Sequence, residues 1–180
     1  MSVKLLALAA SYRADSLNRD LLTLALPIVK AAGAKVTTLE YEACDAPLYR
    51  GEHTDMPAGA KHFADALLAH DGLLLASPEY NWSVPGSLKN LIDWLSIDKR
   101  QPFNGKTGLI MCASPSTRGG ISGLQHLRVP LEMLGMWVYP QMIGIGSARG
   151  GLLKSEKDKK HFDSCLSDFT RATGALAHAR

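Results

Sequence analysis

Residues 72–97 read GLLLASPEYNWSVPGSLKNLIDWLSI, and this stretch decides the class of fold. It opens on an unbroken apolar run, Gly72–Ala76, in which polar and apolar residues do not alternate. A strand of this kind is buried on both faces, which is typical of a parallel sheet covered by helices. After a connection of ten residues, Ser87–Ile97 carries apolar residues at helical spacing. The stretch therefore predicts a strand and a helix joined in the manner of an α/β protein.

The same alternation continues on both sides of this unit. The runs Val3–Ala9 and Thr107–Ala113 are also apolar on both faces, Ala34–Leu39 is rich in β-branched residues, and Trp137–Ile145 predicts a fifth strand. Helical patterns occupy the segments between and after them: Leu17–Ala32, Pro57–His70, Ile121–Leu134 and Ser155–Ala177. This order predicts one parallel sheet with helices on both of its faces.

Three prolines fall inside these predicted elements. Pro27 is expected to kink the first helix or to end it early, because proline removes a backbone donor. Pro130 weakens the prediction of the helix 121–134 for the same reason, and Pro140 weakens that of the fifth strand.

The length and the composition indicate one domain that spans residues 1–180. The chain is 46% hydrophobic, which suits a real core, and it has no repeat, linker or low-complexity tract. The apolar N-terminus MSVKLLALAA stops at Ser11, too soon for a membrane span, and it is interpreted as a buried strand rather than a signal peptide. The protein is therefore expected to be cytoplasmic, with no membrane span.

Several classes of function are disfavoured by the residues present. Cys44, Cys112 and Cys165 are odd in number and far apart, so a disulfide framework is not expected and a reducing compartment fits. The histidines lack the spacing of metal ligands, and we expect no metal. The net charge is only +3, and the basic stretch Lys154–Lys160 is interleaved with acids, which argues against nucleic acid.

The loop after the first strand, Ala9–Arg19, reads AASYRADSLNR. In a doubly wound sheet, ligands bind beyond the carboxyl ends of the strands. A phosphate in this loop could accept hydrogen bonds from hydroxyls, from N–H groups at a helix N-terminus and from Arg13. The fingerprints GxGxxG and GxxxxGK(S/T) are both absent. The alternative is that Ser16 is simply an N-cap and the arginines are solvated.

Two further loops follow the third and fourth strands. Residues 77–86, SPEYNWSVPG, are longer than a usual connection, stiff and aromatic, and would suit a planar ligand. The alternative is that Tyr80 and Trp82 only pack on the domain or on a partner subunit. Residues 113–123, ASPSTRGGISG, contain paired glycines that let a backbone approach a ligand closely, or that serve an ordinary turn.

These loops carry a resemblance to a known family. The motifs are Ser11-x-Arg13-x-x-Ser16-x-Asn18-Arg19, the unbroken Pro78–Trp94 and the pair Gly119-Gly120. Over roughly residues 3–145 the sequence resembles the NADPH-dependent FMN reductase family, a flavodoxin-like group that includes chromate and quinone reductases and azoreductases.

The resemblance implies a flavodoxin-like three-layer sandwich with a five-stranded parallel sheet in the order 2-1-3-4-5, and noncovalent FMN. It implies that the phosphate is bound at the first loop, by Ser11, Arg13, Ser16, Leu17 and Asn18. It implies that the isoalloxazine ring lies between the other two loops, bordered by Pro78, Glu79, Tyr80, Asn81, Trp82 and Ser83 on one side and by Ser114, Thr117, Arg118 and Gly119 on the other.

The implied activity is that of an NAD(P)H-dependent oxidoreductase. By resemblance, NADPH or NADH gives a hydride to FMN, which then reduces a quinone, flavin, azo compound or metal oxyanion in a ping-pong sequence. The family also implies a homodimer or homotetramer, with Lys89, Asn90, Asp93 and Trp94 as structural residues. The alternatives are a flavodoxin-type electron carrier, which the +3 charge disfavours, and a noncatalytic FMN-binding protein.

The first loop departs from the family pattern at several positions. Ala10 stands where glycine is frequent, and Tyr12 where leucine is common. Ala14 and Asp15 stand where the family has neutral or basic residues, and Asp15 is expected to repel a phosphate unless it points outward.

Overall fold

The computed structural model describes residues 2–51 and 55–179. Strands and helices alternate along these ranges, and short 3₁₀ helices lie at Tyr41–Cys44 and Ala148–Gly150. The strands are β1 Lys4–Ala9, β2 Lys35–Leu39, β3 Gly72–Ala76, β4 Thr107–Ala113, β5 Trp137–Val138 and β6 Ile143–Ile145. The helices are α1 Leu17–Ala31, α2 Ala58–Leu68, α3 Gly86–Ser96, α4 Ile121–Met133 and α5 Glu156–His178. None of the described helices is both long enough and apolar enough to cross a membrane.

The strands form one parallel sheet in the order β2-β1-β3-β4-β5, with β6 also paired to β4. The predicted order 2-1-3-4-5 is confirmed. The predicted fifth strand is divided in two, because β5 pairs with the start of β4 and β6 with its end. Pro140 lies in the gap, where a residue without an N–H cannot continue the ladder.

The helices cover both faces of the sheet, as predicted. Side chains along β1 alternate between two cores: Leu6 and Leu8 face α2, α3 and α4, whereas Leu5 and Ala7 face α1 and α5. Every residue of β3 and β4 is buried. This double burial explains why these strands are apolar apart from Thr107 at the start of β4, and it confirms the three-layer arrangement.

The two helix prolines do not end their helices. For Pro27 the sequence predicted a kink or an early end of the first helix, and the early end is wrong because α1 continues to Ala31. Beyond the proline, Val29 is fully buried in the core, and this packing offsets the lost backbone hydrogen bond. Pro130 lies inside α4 in the same way, one residue before the buried Leu131.

The three cysteines are free and buried, in agreement with the expectation that they form no disulfide framework. Burial raises the pKa of the Cys112 thiol to about 12 and the pKa values of Cys44 and Cys165 to about 11. The thiols are therefore protonated near neutral pH and behave as small apolar core groups.

The start of α1 is fastened to the end of β4 by Asn18, whose side chain is buried. Its Nδ2 donates to the Ala113 carbonyl at 3.1 Å, and its Oδ1 accepts from the Ala113 N–H at 2.9 Å. This double hydrogen bond pairs both backbone groups of the last β4 residue. It brings the loops that follow β1 and β4 together at the carboxyl edge of the sheet.

Replacing this amide should therefore destabilise the fold. We expect Asn18→Ala to lower the free energy of unfolding by about 1–3 kcal/mol, because two buried backbone groups lose their partner. Urea denaturation followed by far-UV circular dichroism measures this change. The control is Asn104→Ala, at an exposed asparagine, which should change stability by less than about 0.5 kcal/mol. Equal effects of the two substitutions would contradict the role given to Asn18.

Candidate functional site

A pocket of 390 Å³ opens at the carboxyl edge of the sheet. Its volume lies in the range typical of small-molecule sites. The loops after β1, β3 and β4 all contribute to its lining, so the three loops singled out in the sequence meet at one place. It is the meeting point expected for a doubly wound sheet.

The predicted residues divide between this pocket and its surroundings. Nine of them line it: Ser11, Arg13, Ser16, Leu17, Asn18, Pro78, Glu79, Tyr80 and Ser114. Six others lie outside the lining, on neighbouring turns: Asn81, Trp82, Ser83, Thr117, Arg118 and Gly119. Five lining residues were not predicted as ligands: Asp15, Asp20, Ala113, Pro115 and Arg149. Arg149 is the most distant along the chain, and no motif in the sequence marked it.

The first loop presents a set of hydrogen-bond donors. Ser16 is the N-cap of α1, and its Oγ accepts from the Arg19 N–H at 3.3 Å. The buried Ser11 Oγ accepts from the Arg13 N–H at 3.4 Å. Both hydroxyls keep a proton to donate. Among the described residues, the N–H groups of Leu17 and Asn18 have no hydrogen-bond acceptor, as is usual for the first turn of a helix. The capping role of Ser16 thus leaves its hydroxyl available to an anion.

Arg19 stabilises the conformation of the first loop through hydrogen bonds to its backbone. Its guanidinium donates to the carbonyls of Ser11, Arg13 and Ala14 at 3.2–3.3 Å. Three backbone carbonyls are thereby turned toward the arginine. Arg19 is therefore a structural residue of the turn.

Asp15 is one of the residues that line the pocket, although its side chain is largely exposed. Two hydrogen bonds, of 3.1 and 2.9 Å, join its carboxylate to the Arg13 guanidinium. The hydrogen bonds from Arg13 lower the pKa of Asp15, and the charge of Arg149 contributes in the same direction. Arg13 is thus already paired, and its partner is the acid that sequence reasoning identified as a source of repulsion.

Tyr12 connects the first loop to the segment after β2. Its hydroxyl donates to Asp45 Oδ1 at 2.9 Å, and its ring lies 4.7 Å from the ring of Tyr41. Burial and the hydrogen bond to Asp45 raise the pKa of Tyr12. The bulk of Tyr12 therefore packs against a neighbouring segment of the chain.

The second loop folds into a tight turn at Asn81 and Trp82. Tyr80 and Ser83 exchange two backbone hydrogen bonds of 3.0 Å, and both central residues have positive φ, 47° and 67°. This is the geometry of a type I′ turn, in which asparagine is favoured and tryptophan is unusual. The Trp82 ring is 56% exposed, and the Arg118 guanidinium carbon lies 4.2 Å from its centroid.

Glu79 anchors the second loop to α4. Its carboxylate accepts from the Gly123 N–H at 2.6 Å, in the first turn of that helix, where a negative charge is favoured. The carboxylate is therefore engaged in the fold, while the residue itself lines the pocket.

The glycine pair of the third loop is explained by chain packing. Gly119 and Gly120 have φ of 65° and 72°. A Cβ on Gly120 would lie 2.2 Å from Cys112 Sγ, and one on Gly119 would lie 2.8 Å from the Gly144 carbonyl carbon. Neighbouring parts of the chain, rather than a ligand, thus account for both glycines.

The motif LKNLIDW of α3 also has an internal role. Asn90 accepts from the Tyr49 N–H at 2.7 Å and donates to the carbonyls of Ala46 and Pro47. The buried Trp94 donates through Nε1 to Pro47 at 2.7 Å. These two residues hold the segment 46–49 and so have a structural role within the chain.

The chemistry of the lining suits a phosphate attached to a flat ring. One part of the pocket offers two hydroxyls, unpaired N–H groups and guanidinium groups, and another offers Pro78, Tyr80 and Pro115. The carboxylates of Asp15 and Asp20 oppose an anion, and Arg13 compensates the first of them. Among residues 2–51 and 55–179, no group of three or more histidines, cysteines and acids could hold a metal ion.

Comparison of the sequence with known proteins agrees with this chemistry. The model of the NADPH-dependent FMN reductase family matches residues 3–150. A quinone reductase of Escherichia coli K12 is 38% identical over 151 residues, which are 80% of this chain and 79% of that protein. An NAD(P)H-dependent FMN reductase of Pseudomonas aeruginosa is 35% identical over 134 residues, covering 73% and 71% of the two chains.

Comparison of the structure supports the same fold. FerB, a flavoenzyme NAD(P)H:acceptor oxidoreductase from Paracoccus denitrificans, superposes with a TM-score of 0.81 at 24% identity, over 97% of this chain and 98% of its own. Flavodoxin 1 from Bacillus cereus has a TM-score of 0.62 at 15% identity, over 93% and 97%. At such identities the likeness shows the flavodoxin-like fold alone. Together with the sequence matches, it leads to one conclusion: the chain belongs to the NADPH-dependent FMN reductase family and is a flavin-dependent oxidoreductase that uses FMN and a nicotinamide nucleotide.

Proposed function

We propose that residues 1–180 act as one FMN-binding domain that reduces small acceptors at the expense of NAD(P)H in a ping-pong sequence. The chemistry that FMN supplies when bound is two-electron hydride transfer from the nicotinamide to a quinone, flavin, azo compound or metal oxyanion. The observation that carries the proposal is that hydroxyls, unpaired N–H groups and a flat wall meet in one pocket.

The first loop would hold the phosphate. Ser11 and Ser16 donate through their hydroxyls, and Leu17 and Asn18 through their N–H groups at the positive end of the α1 dipole. Asn18 also has a structural role, because its side chain fixes the N-terminus of α1 against β4. The donors are therefore in place before the ligand arrives, which lowers the cost of binding.

The other two loops would hold the ring. Pro78, Tyr80 and Ser114 give it a wall within the pocket, and Glu79 fixes that wall through its bond to α4. The surrounding turns, with Asn81, Trp82, Ser83, Thr117, Arg118 and Gly119, would border the space that the nucleotide and the acceptor enter. The N–H groups of Asn81 and Trp82 have no acceptor within the described part of the chain and can donate to a polar ring edge.

The relatives favour an enzyme over an electron carrier. Quinone and FMN reductase are the activities in the names of the E. coli and P. aeruginosa proteins, respectively. A carrier that docks on basic partners is usually acidic, whereas this chain has a net charge of +3. The proposed acceptors are accordingly small molecules.

Turnover tests the proposed function directly. We expect the purified, FMN-saturated protein to be yellow and to oxidise NADPH or NADH with menadione as acceptor. Initial rates at several acceptor concentrations should give parallel double-reciprocal lines, because one substrate leaves before the other binds. Converging lines would exclude the ping-pong order. Failure to oxidise either nucleotide with any quinone or flavin would exclude the activity itself.

The pair of Arg13 and Asp15 provides a second test. We expect Arg13→Ala to weaken FMN binding about tenfold, because it leaves a carboxylate unpaired beside the phosphate. Asp15→Asn should tighten binding about fivefold, because the negative charge that repels the phosphate is removed. Fluorescence titration of the FMN-free protein measures both.

Matched controls for this pair are available on α5. Asp168 and Arg171 form an exposed ion pair of the same kind, away from the pocket. Asp168→Asn and Arg171→Ala should leave FMN affinity unchanged. An Asp15→Asn protein that binds FMN more weakly than the wild type would show that Asp15 does not oppose the phosphate.

We also propose that the chain forms a homodimer or homotetramer through α4. Val129 and Met133 are 61% and 82% exposed on this helix, and Val84 and Pro130 lie in a groove beside Val129. Large apolar side chains exposed together are typical of protein interfaces.

Disrupting this surface should dissociate the oligomer. We expect Val129→Asp combined with Met133→Asp to give monomers in light scattering coupled to size-exclusion chromatography, since charge is costly in an apolar interface. Leu24→Asp, on α1 at the opposite side of the sheet, is the control and should stay oligomeric. An unchanged mass of the double variant would contradict the use of α4.

A further inference from the structure

Arg149 lines the pocket but has no hydrogen-bond or ion-pair partner in the part of the chain that the structure describes. It belongs to the 3₁₀ helix Ala148–Gly150, which follows β6, and it lines the pocket together with Ser11 and Ser16. Within residues 2–51 and 55–179, its guanidinium makes no hydrogen bond and no ion pair. The two arginines of the first loop differ, because Arg19 is bound to backbone carbonyls and Arg13 to Asp15.

The backbone around Arg149 is held in place by the third loop. The Ala148 N–H donates to the Ser114 carbonyl at 3.0 Å, and the Ser147 N–H donates to the Ser116 carbonyl at 2.9 Å. Lys154 Nζ adds a bond of 2.9 Å to the Ser147 carbonyl. Ala148 is itself buried. The backbone on either side of the exposed Arg149 side chain is therefore held in position at the edge of the pocket.

The charges nearby show why a second guanidinium is needed. Two cations act on Asp15: Arg13 binds its carboxylate, and Arg149, which lines the same pocket, lowers its pKa through its charge. Asp20 adds another negative charge to the lining. The lining thus holds three acids, Asp15, Asp20 and Glu79, and Arg149 supplies a positive charge that is not already used by Arg13 to pair with Asp15.

We propose that Arg149 is the charged ligand of the FMN phosphate, whereas Arg13 mainly neutralises Asp15. This inference rests on the proposed binding of FMN at the first loop. A guanidinium without a partner can give a phosphate two parallel hydrogen bonds without breaking any existing one. Arg149 thus closes the phosphate site from a segment more than a hundred residues away from the first loop.

The experiment compares a ligand that carries the phosphate with one that lacks it. The full-length chain is freed of FMN and titrated with FMN and with riboflavin, following the quenching of flavin fluorescence. We expect Arg149→Ala to raise the Kd for FMN about tenfold and to leave the Kd for riboflavin unchanged. Arg149→Lys should recover part of the loss, because it keeps the charge but not the paired donors. Arg171→Ala on α5 is the control, and urea denaturation checks that each variant is folded.

The outcomes separate this inference from the proposal on which it rests. Unchanged FMN affinity in Arg149→Ala would overturn the inference and leave the proposed function standing. An equal loss for FMN and riboflavin would also overturn it, because Arg149 would then act on the ring or on the fold. A wild-type chain that binds no FMN would overturn both. A loss confined to FMN supports the inference.

Discussion

The double hydrogen bond between Asn18 and Ala113 is the contact on which the functional edge of this molecule depends. It joins the first turn of α1 to the last residue of β4, so that two loops far apart in sequence share one pocket. The sheet brings the loops to the same edge, but only side-chain contacts fix their spacing. Glu79 does the same for the second loop by binding α4. The apolar core places the three loops at one edge of the sheet, and a few polar side-chain contacts then fix their relative positions.

Much of the fold could be predicted from the sequence, because burial on both faces leaves an unmistakable apolar run in β1, β3 and β4. The errors came from prolines. Local rules predicted that Pro27 kinks the first helix or ends it early, but α1 continues to Ala31, and the packing of Val29 offsets the lost hydrogen bond. Pro140 had the opposite effect, since it divides a strand that the apolar pattern predicted as one. A sequence shows the local cost of proline but not the packing that offsets it.

The site was predictable to the extent that it follows strand ends. Ser11, Ser16 and Pro78 lie next to buried strands, and the structure brings them into one pocket. Arg149 could not be found in this way, because its place depends on where β6 pairs and on the bonds of Ala148 and Ser147 to the third loop. The positive φ of Trp82 could not be predicted either, because tryptophan is not one of the residues that favour such turns. Contacts between distant segments leave no local pattern.

The buried cysteines have a consequence for the durability of the catalyst. Quinones, which the names of several relatives give as the compounds they reduce, are electrophiles that form covalent adducts with thiolates. With the pKa of Cys112 raised to about 12 and those of Cys44 and Cys165 to about 11, the thiols lack both the charge and the exposure needed to attack. Thiols of this kind resist arylation by an electrophile that reaches the protein surface. Burial in the core therefore gives the protein low thiol reactivity as well as stability.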